Sequence, residues 1–279
     1  MRRRPIISLL VLLGVSLGHW ATGPLGHSSV EAALTVEPVR IVLRAKPAQS
    51  LAGVFTVENA GQTPVHVLVE PEDWSGGVSG PRQQVDWLTV KPAALTLGPG
   101  RRSKVKYRIR VPRDASGELR VQVFFTTEES GANQVKARSR LGTIIYVAIR
   151  GTEEVRAEIA DMTWTYTAST PGIAKPDRFE VVTAIANHGN VHVVPEGWIL
   201  LEDGDGQTLH RLTLESGWGL LPAEQETYRA VGSGVYLKPG HYQLEAHVIV
   251  GNDLGQSVTL TKRLELSLSG EEGSAQDRP

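Results

Sequence analysis

Four basic side chains occupy every second position of Lys104-Val105-Lys106-Tyr107-Arg108-Ile109-Arg110-Val111, and Arg101 and Arg102 precede them. An extended strand puts successive side chains on opposite faces, so Lys104, Lys106, Arg108 and Arg110 share one face and the apolar residues take the other. Such a row can bind an anion but supplies nothing that would transform one. It reads either as a solvated face that blocks unwanted sheet pairing or as a contact for an anionic partner, the chain's own acidic half included. His188 and His192 have the spacing of a helical metal site. On a strand the same spacing spans about 13 Å, too far for one ion, and the Val-His-Val setting shared by His66 and His192 predicts two outward-facing positions. Glu202-Asp-Gly-Asp-Gly-Gln207 offers acidic residues for calcium, but a calcium loop counted from Asp203 needs Gly and Glu where Thr208 and Leu214 stand; the run reads as a hairpin turn. Glu128-Glu129 and Glu153-Glu154 are neighbours, so on strands they point apart. No nucleophile elbow, phosphate-binding glycine loop or His-Glu-x-x-His motif occurs. The reading is non-enzymatic: no catalytic residue, no metal ligand and no cofactor.

The elements that position these residues are strands throughout. Val36 to Arg44, Gly53 to Glu58, Val65 to Pro71, Trp87 to Val90, Ser103 to Val111, Leu119 to Thr127 and Leu141 to Ile149 are bounded by Gly, Pro, Asn or Asp and show no sustained helical period. A second set follows, at Val155 to Thr165, Phe179 to Ala186, Gly197 to Glu202, Thr208 to Leu214, Glu226 to Ala230, His241 to Val250 and Ser257 to Leu266. The two sets repeat one another. Asn59-Ala-Gly-Gln-Thr-Pro-Val65 resembles Asn187-His-Gly-Asn-Val191; Gly98-Pro99-Gly100 falls where Leu221-Pro222-Ala223 stands; Gly117 to Val123 resembles Gly240 to Ala246. The fold class is therefore all-β, two tandem immunoglobulin-like β-sandwich domains at 33–151 and 152–268. The polar tail 269–279 is expected to be disordered.

An export signal is predicted over 1–32: a basic Met-Arg-Arg-Arg-Pro, an apolar run Ile6 to Gly18 too short to span a bilayer, and Val30-Glu31-Ala32 as cleavage site. No later stretch is apolar enough to cross a membrane, and the protein is expected to be periplasmic or secreted. There is no cysteine, so stability has to come from burial without disulfides. Residues 33–151 carry 17 Lys and Arg against 10 Asp and Glu, a net +7, whereas 152–279 carry 9 against 19, a net −10. The asymmetry predicts a basic surface on the first half. Nucleic acid is not an expected partner, since no exposed aromatics interleave with the charges.

Arg138 to Gly151 is the stretch on which the functional reading turns. From Leu141 to Ile149 both faces are largely apolar, Leu141, Thr143, Ile145, Val147 and Ile149 on one and Ile144, Tyr146 and Ala148 on the other. One face fills a core; the other needs a cover, either the next domain or a partner. Four segments carry a family likeness: Val39-Arg40-Ile41-Val42-Leu43, Phe55 to Asn59 with Pro64, Leu97-Gly-Pro-Gly100, and Val121 to Thr127. Through them, over roughly 35–150, the sequence resembles the PapD-like periplasmic chaperones that assemble pili. The resemblance implies a boomerang of two immunoglobulin-like domains, a last strand of the first domain donated to a pilin, and a cleft Arg and Lys holding the pilin's carboxylate. Arg40 matches the Arg, and Leu141, Ile145, Val147 and Ile149, or the opposite face, match the donated strand. The Lys has no counterpart; Tyr146 stands near its position, with Arg138 and Arg140 farther back. The implied partner is an exported, pilin-like subunit bound by strand addition. The second reading is a structural or adhesive surface module whose basic domain binds an anionic polymer. Because so few residues join the domains, they are expected to meet at a fixed angle around a cleft near Arg40, Arg140 and Arg150.

Overall fold

The computed structural model describes residues 34–74, 85–128, 138–169, 176–217 and 219–269. The predicted signal 1–32 and nearly all of the predicted tail lie outside them. Every regular element among the described residues is a strand. The first nine are β1 (Leu34–Glu37), β2 (Arg40–Ala45), β3 (Ser50–Asn59), β4 (Val65–Asp73), β5 (Leu88–Lys91), β6 (Ala94–Leu97), β7 (Arg102–Arg110), β8 (Glu118–Glu128) and β9 (Arg138–Ile149). They form a sheet in the order β1-β3-β7-β5 facing a sheet in the order β2-β9-β8-β4-β6. The strand expected over Val36 to Arg44 is two strands in two sheets. Pro38, lacking an N–H, ends β1 against β3, and β2 then runs parallel to β9, from Arg40 opposite Ile144 to Ala45 opposite Ile149.

Alternation fixes which faces meet. Phe55, Val57, Val105, Ile109, Val121, Val123, Phe125, Ile145, Val147 and Ile149 are fully buried between these sheets. Phe55 packs edge-on against Phe125 with ring centroids 5.4 Å apart.

The remaining strands are β10 (Ala157–Thr167), β11 (Arg178–Asn187), β12 (Val194–Asp203), β13 (Thr208–Thr213), β14 (Gln225–Ser233), β15 (Gly240–Gly251) and β16 (Ser257–Leu268). A sheet β10-β11-β14 covers a sheet β13-β12-β15-β16 over a second core that includes Phe179, Val181, Ile185, Ile199, Leu201 and Leu244. The acidic run is the β12–β13 turn, where Asp203 accepts from the N–H groups of Asp205 and Gln207 at 3.0 and 2.8 Å. The tandem all-β sandwich architecture is thus what the alternation predicts.

The repeat seen in the sequence is a repeat of hydrogen bonds. Buried Asn59 donates through Nδ2 to the Thr63 and Leu97 carbonyls at 2.8 and 3.0 Å and accepts from Gly61 N–H at 3.0 Å. Buried Asn187 donates to the Val191 and Leu220 carbonyls at 2.9 and 3.0 Å and accepts from Gly189 N–H at 2.9 Å. The matching turns return to the same residues: Gly100 N–H donates to Asn59 O at 2.8 Å and Ala223 N–H to Asn187 O at 2.9 Å. Gly100 and Ala223 both take a left-handed backbone, φ 62° and 64°. Ala there bears strain that glycine avoids.

Candidate functional site: the join and the open edge of β9

Residues on both sides of the junction converge on the second face of β9. Tyr146 stacks on His192 with centroids 3.9 Å apart and planes 26° from parallel. The His192 side chain is only 1% exposed and that of Glu118, at the start of β8, only 2%. His192 donates from its backbone N–H to Glu118 Oε1 at 3.2 Å, and its Nδ1 lies 2.6 Å from Glu118 Oε2. Carboxylate oxygens only accept, so Glu118 holds a proton on Nδ1. The other nitrogen, Nε2, lies 2.7 Å from an Arg40 guanidinium nitrogen and 3.1 Å from Asp253 Oδ2, in the β15–β16 turn. Arg40 and Asp253 are themselves ion-paired. The Arg40 guanidinium also lies 5.2 Å from the Tyr146 ring centroid.

These contacts set the electrostatics. Burial works against an imidazolium at His192 and so does Arg40, but the hydrogen bonds to Asp253 and Glu118 and the charge of Glu118 outweigh them, and its pKa is raised. The bond from His192 heads the causes that hold the Asp253 carboxyl below its ordinary value, with Arg40 adding to it against the cost of burial. Burial pushes the Tyr146 phenol up to about 12, so it is neutral at any physiological pH. Neutral His192 can accept from Arg40 through Nε2, whereas the imidazolium instead donates from Nε2 to Asp253. The site holds an internal carboxylate on Arg40. Among the described residues no group of three or more acidic or His side chains is arranged to hold a metal ion.

The connection itself is tied down. Asn190 Oδ1 accepts from Glu154 N–H at 2.7 Å, and its Nδ2 donates to Thr152 O at 2.8 Å. Thr152 Oγ1 in turn accepts from Gly117 N–H at 2.8 Å. Gly117 has φ 66°, and a Cβ there would lie 2.8 Å from Asn190 O, so only glycine fits. Arg44 Nε donates to Glu153 Oε1 at 2.6 Å. Burial would raise the Glu153 carboxyl, but the bonds from Arg44 and from nearby backbone N–H groups pull it below the usual range.

The predicted site residues separate into three places. Arg40 is in the join. Arg140 is not: it pairs with Glu72 and lies over the half-buried Phe124 ring at 3.4 Å, on the side of the first sandwich that faces away from its core. Arg150 is exposed. Ile145, Val147 and Ile149 are fully buried core, and β2 occupies their edge of β9. Withdrawing each would cost roughly 1.5–3 kcal/mol, so they hold β9 in place. Only Leu141 of that set is in the part of β9 that β2 leaves uncovered, where it is half-buried against the core. The cover for the opposite face is the next domain, as Tyr146 and His192 demonstrate.

His192 is the residue that sequence reasoning misplaced. His66 is exposed as expected, but His192, at the same place in the repeat, faces the first sandwich and is buried. The signal that finds it is the repeat combined with the short connection, which brings the Asn187–Val193 corner against the end of β8. The basic row Lys104, Lys106, Arg108 and Arg110 is exposed on the outer face of the other sheet. No described carboxylate pairs with any of the four, so it does not dock on the acidic half.

No protein-family model matches the sequence, and no curated protein matches it either. In structure the chain is similar to pilus chaperones over most of its length. The YadV chaperone is 14% identical, covering 83% of this chain and 100% of its own, with a TM-score of 0.43. The Pseudomonas aeruginosa CupB2 chaperone is 14% identical over 84% and 100%, with a TM-score of 0.42. The Salmonella enterica SafB chaperone, solved with the SafA pilin, is 11% identical over 84% and 96%, with a TM-score of 0.40.

Proposed function

We propose that this chain is an exported, non-enzymatic chaperone-like protein that lends the open half of β9 to the sheet of an incomplete, pilin-like secreted subunit. One observation carries the reading: β8 pairs with β9 from Arg138 to Ala148, whereas β2 pairs with it only from Ile144 onward. The Ile144 N–H donates to Val39 O, so even-numbered residues of β9 direct their N–H and C=O groups to that edge. Those of Arg140 and Gly142 therefore face a position where an added strand would sit. Arg40 lies beside the same strand, and in this reading a partner's carboxylate exchanges with Asp253 on its guanidinium.

Gly142→Pro removes the edge donor while leaving the β8 ladder its bonds. The test is to place a photo-crosslinking residue at Leu141, isolate the adduct from the exported fraction and identify it by mass spectrometry. A single stoichiometric secreted subunit, lost at least tenfold in Gly142→Pro with melting unchanged, is the expected result. No adduct, or one insensitive to Gly142→Pro, removes the reading.

A further inference from the structure

On the first sandwich, the sheet that does not contain β9 carries a groove of about 700 Å³ on its outer face, lined by Ala52, Val54, Lys91, Lys106, Arg108 and Arg110 together with backbone and Thr89. No acidic residue lines it, and among the described residues none of these cations is ion-paired. Arg102, by contrast, is neutralised by Glu58 at 2.9 Å.

Edge protection does not account for the middle of the row. Over Lys106–Ile109, β7 is flanked by β3 on one side and β5 on the other, so Lys106 and Arg108 guard no edge. The register even sets Lys91 directly opposite Lys106, a like-charge pair that costs stability unless an anion lies between them. On the other side, Val54 stands opposite Lys106 and Ala52 opposite Arg108, giving a small apolar floor beside the charges.

We infer that this groove binds a linear phosphodiester polymer without bases, of the polyol-phosphate type. Along β7 the charges recur about every 6.5 Å, two residues of strand, and Lys91 adds a second row one strand away. Arg108 and Arg110 present planar forks suited to phosphate oxygens. The Ala52–Val54 floor suits aliphatic carbons. Tyr107 also borders the groove, but its ring is buried against Phe55 with centroids 5.0 Å apart, so it offers no open face on which a base or a sugar ring could stack. An acidic peptide lying along β7 would meet side chains only, since β3 and β5 take the backbone groups of that strand over the middle of the row. The groove and the open edge of β9 are on different sheets, so polymer and strand partner can be held together.

The probe is a fluorescent glycerol-phosphate decamer titrated by anisotropy between about 50 and 200 mM salt, with oligo-dT and decaglutamate of equal charge alongside. Four phosphate contacts, at Lys91, Lys106, Arg108 and Arg110, predict a plot of log Kd against log salt with a slope of about 2.8. Lys106→Ser/Arg108→Ser should weaken binding at least tenfold at low salt and lower the slope by about 1.4, and Lys91→Ser on a separate strand should lower it by about 0.7. Gly142→Pro should leave it unchanged. Absence of saturable binding, or binding indifferent to these serines in variants of unaltered melting, overturns the site. Tighter binding of oligo-dT or decaglutamate overturns the assigned polymer.

Discussion

His192 makes opposite demands on its two nitrogens. Nδ1 is committed to Glu118, and Nε2 can serve Arg40 or Asp253 but not both as acceptor and donor. Because its pKa is raised, the stability it contributes is fully present below the unfolded value of about 6.5 and is lost as pH rises through the higher folded value. Asp253, with its pKa lowered, contributes above about 3.9 and loses that contribution as pH falls through its folded value. Denaturant midpoints should therefore decline from about pH 6.5 upward in the native chain. In His192→Gln that decline should flatten; an unchanged slope would assign the effect to another group. Glu118 and His192 are nearly inaccessible, so His192→Ala leaves a carboxylate buried without its partner and should cost roughly 3–5 kcal/mol in urea melts. Arg178→Ala, which breaks an exposed pair with Glu180, should cost about 1 kcal/mol or less.

At the scale of elements, alternation and turn residues in the sequence suffice to locate the strands, because each buried position is fixed by a period of two and each end by a Gly, Pro or Asn. They do not reveal which strands change sheets. The break at Pro38 that sends β2 to the other sheet depends on β9 offering an edge far away in sequence. The same limit applied to Ile145, Val147 and Ile149, legible as an apolar face fit for a core but not as a stretch whose edge β2 already pairs. The Asn59 and Asn187 corners were legible, because a side chain that closes a turn needs its own local spacing. Each Asn satisfies two carbonyls and one N–H, so Asn59→Ala and Asn187→Ala should each destabilise by roughly 1–3 kcal/mol per buried group left unmatched. Similar losses in both variants, measured by equilibrium unfolding, are the expected result; a large difference would mean that the two corners are not equivalent in energy.

At the scale of the molecule, more exposed ion pairs such as Arg40 with Asp253 surround a buried centre where the two sandwiches meet, the His192–Glu118 bond and the Tyr146–His192 stack. Salt screens such contacts much less than exposed ones, so small-angle scattering of the described region should fit one rigid shape in dilute and in concentrated salt alike. A profile demanding independent bodies would contradict the join. The charge asymmetry visible in the sequence left open a basic half lying on the acidic half. Its strongest part, the β7 row, instead faces away without acidic partners. The register of β8 with β9 has a mechanical consequence. The eleven paired positions from Glu118 opposite Ala148 to Glu128 opposite Arg138 run the full length of β8 and all of β9 but its last residue, and the join sits at the Glu118 end. A load applied along β9 from its Arg138 end meets the ladder in shear, so its hydrogen bonds share the force and have to fail together. A load applied across the strand would open them one at a time. The fold therefore resists withdrawal of β9 along its own axis far better than it resists peeling of that strand away from β8.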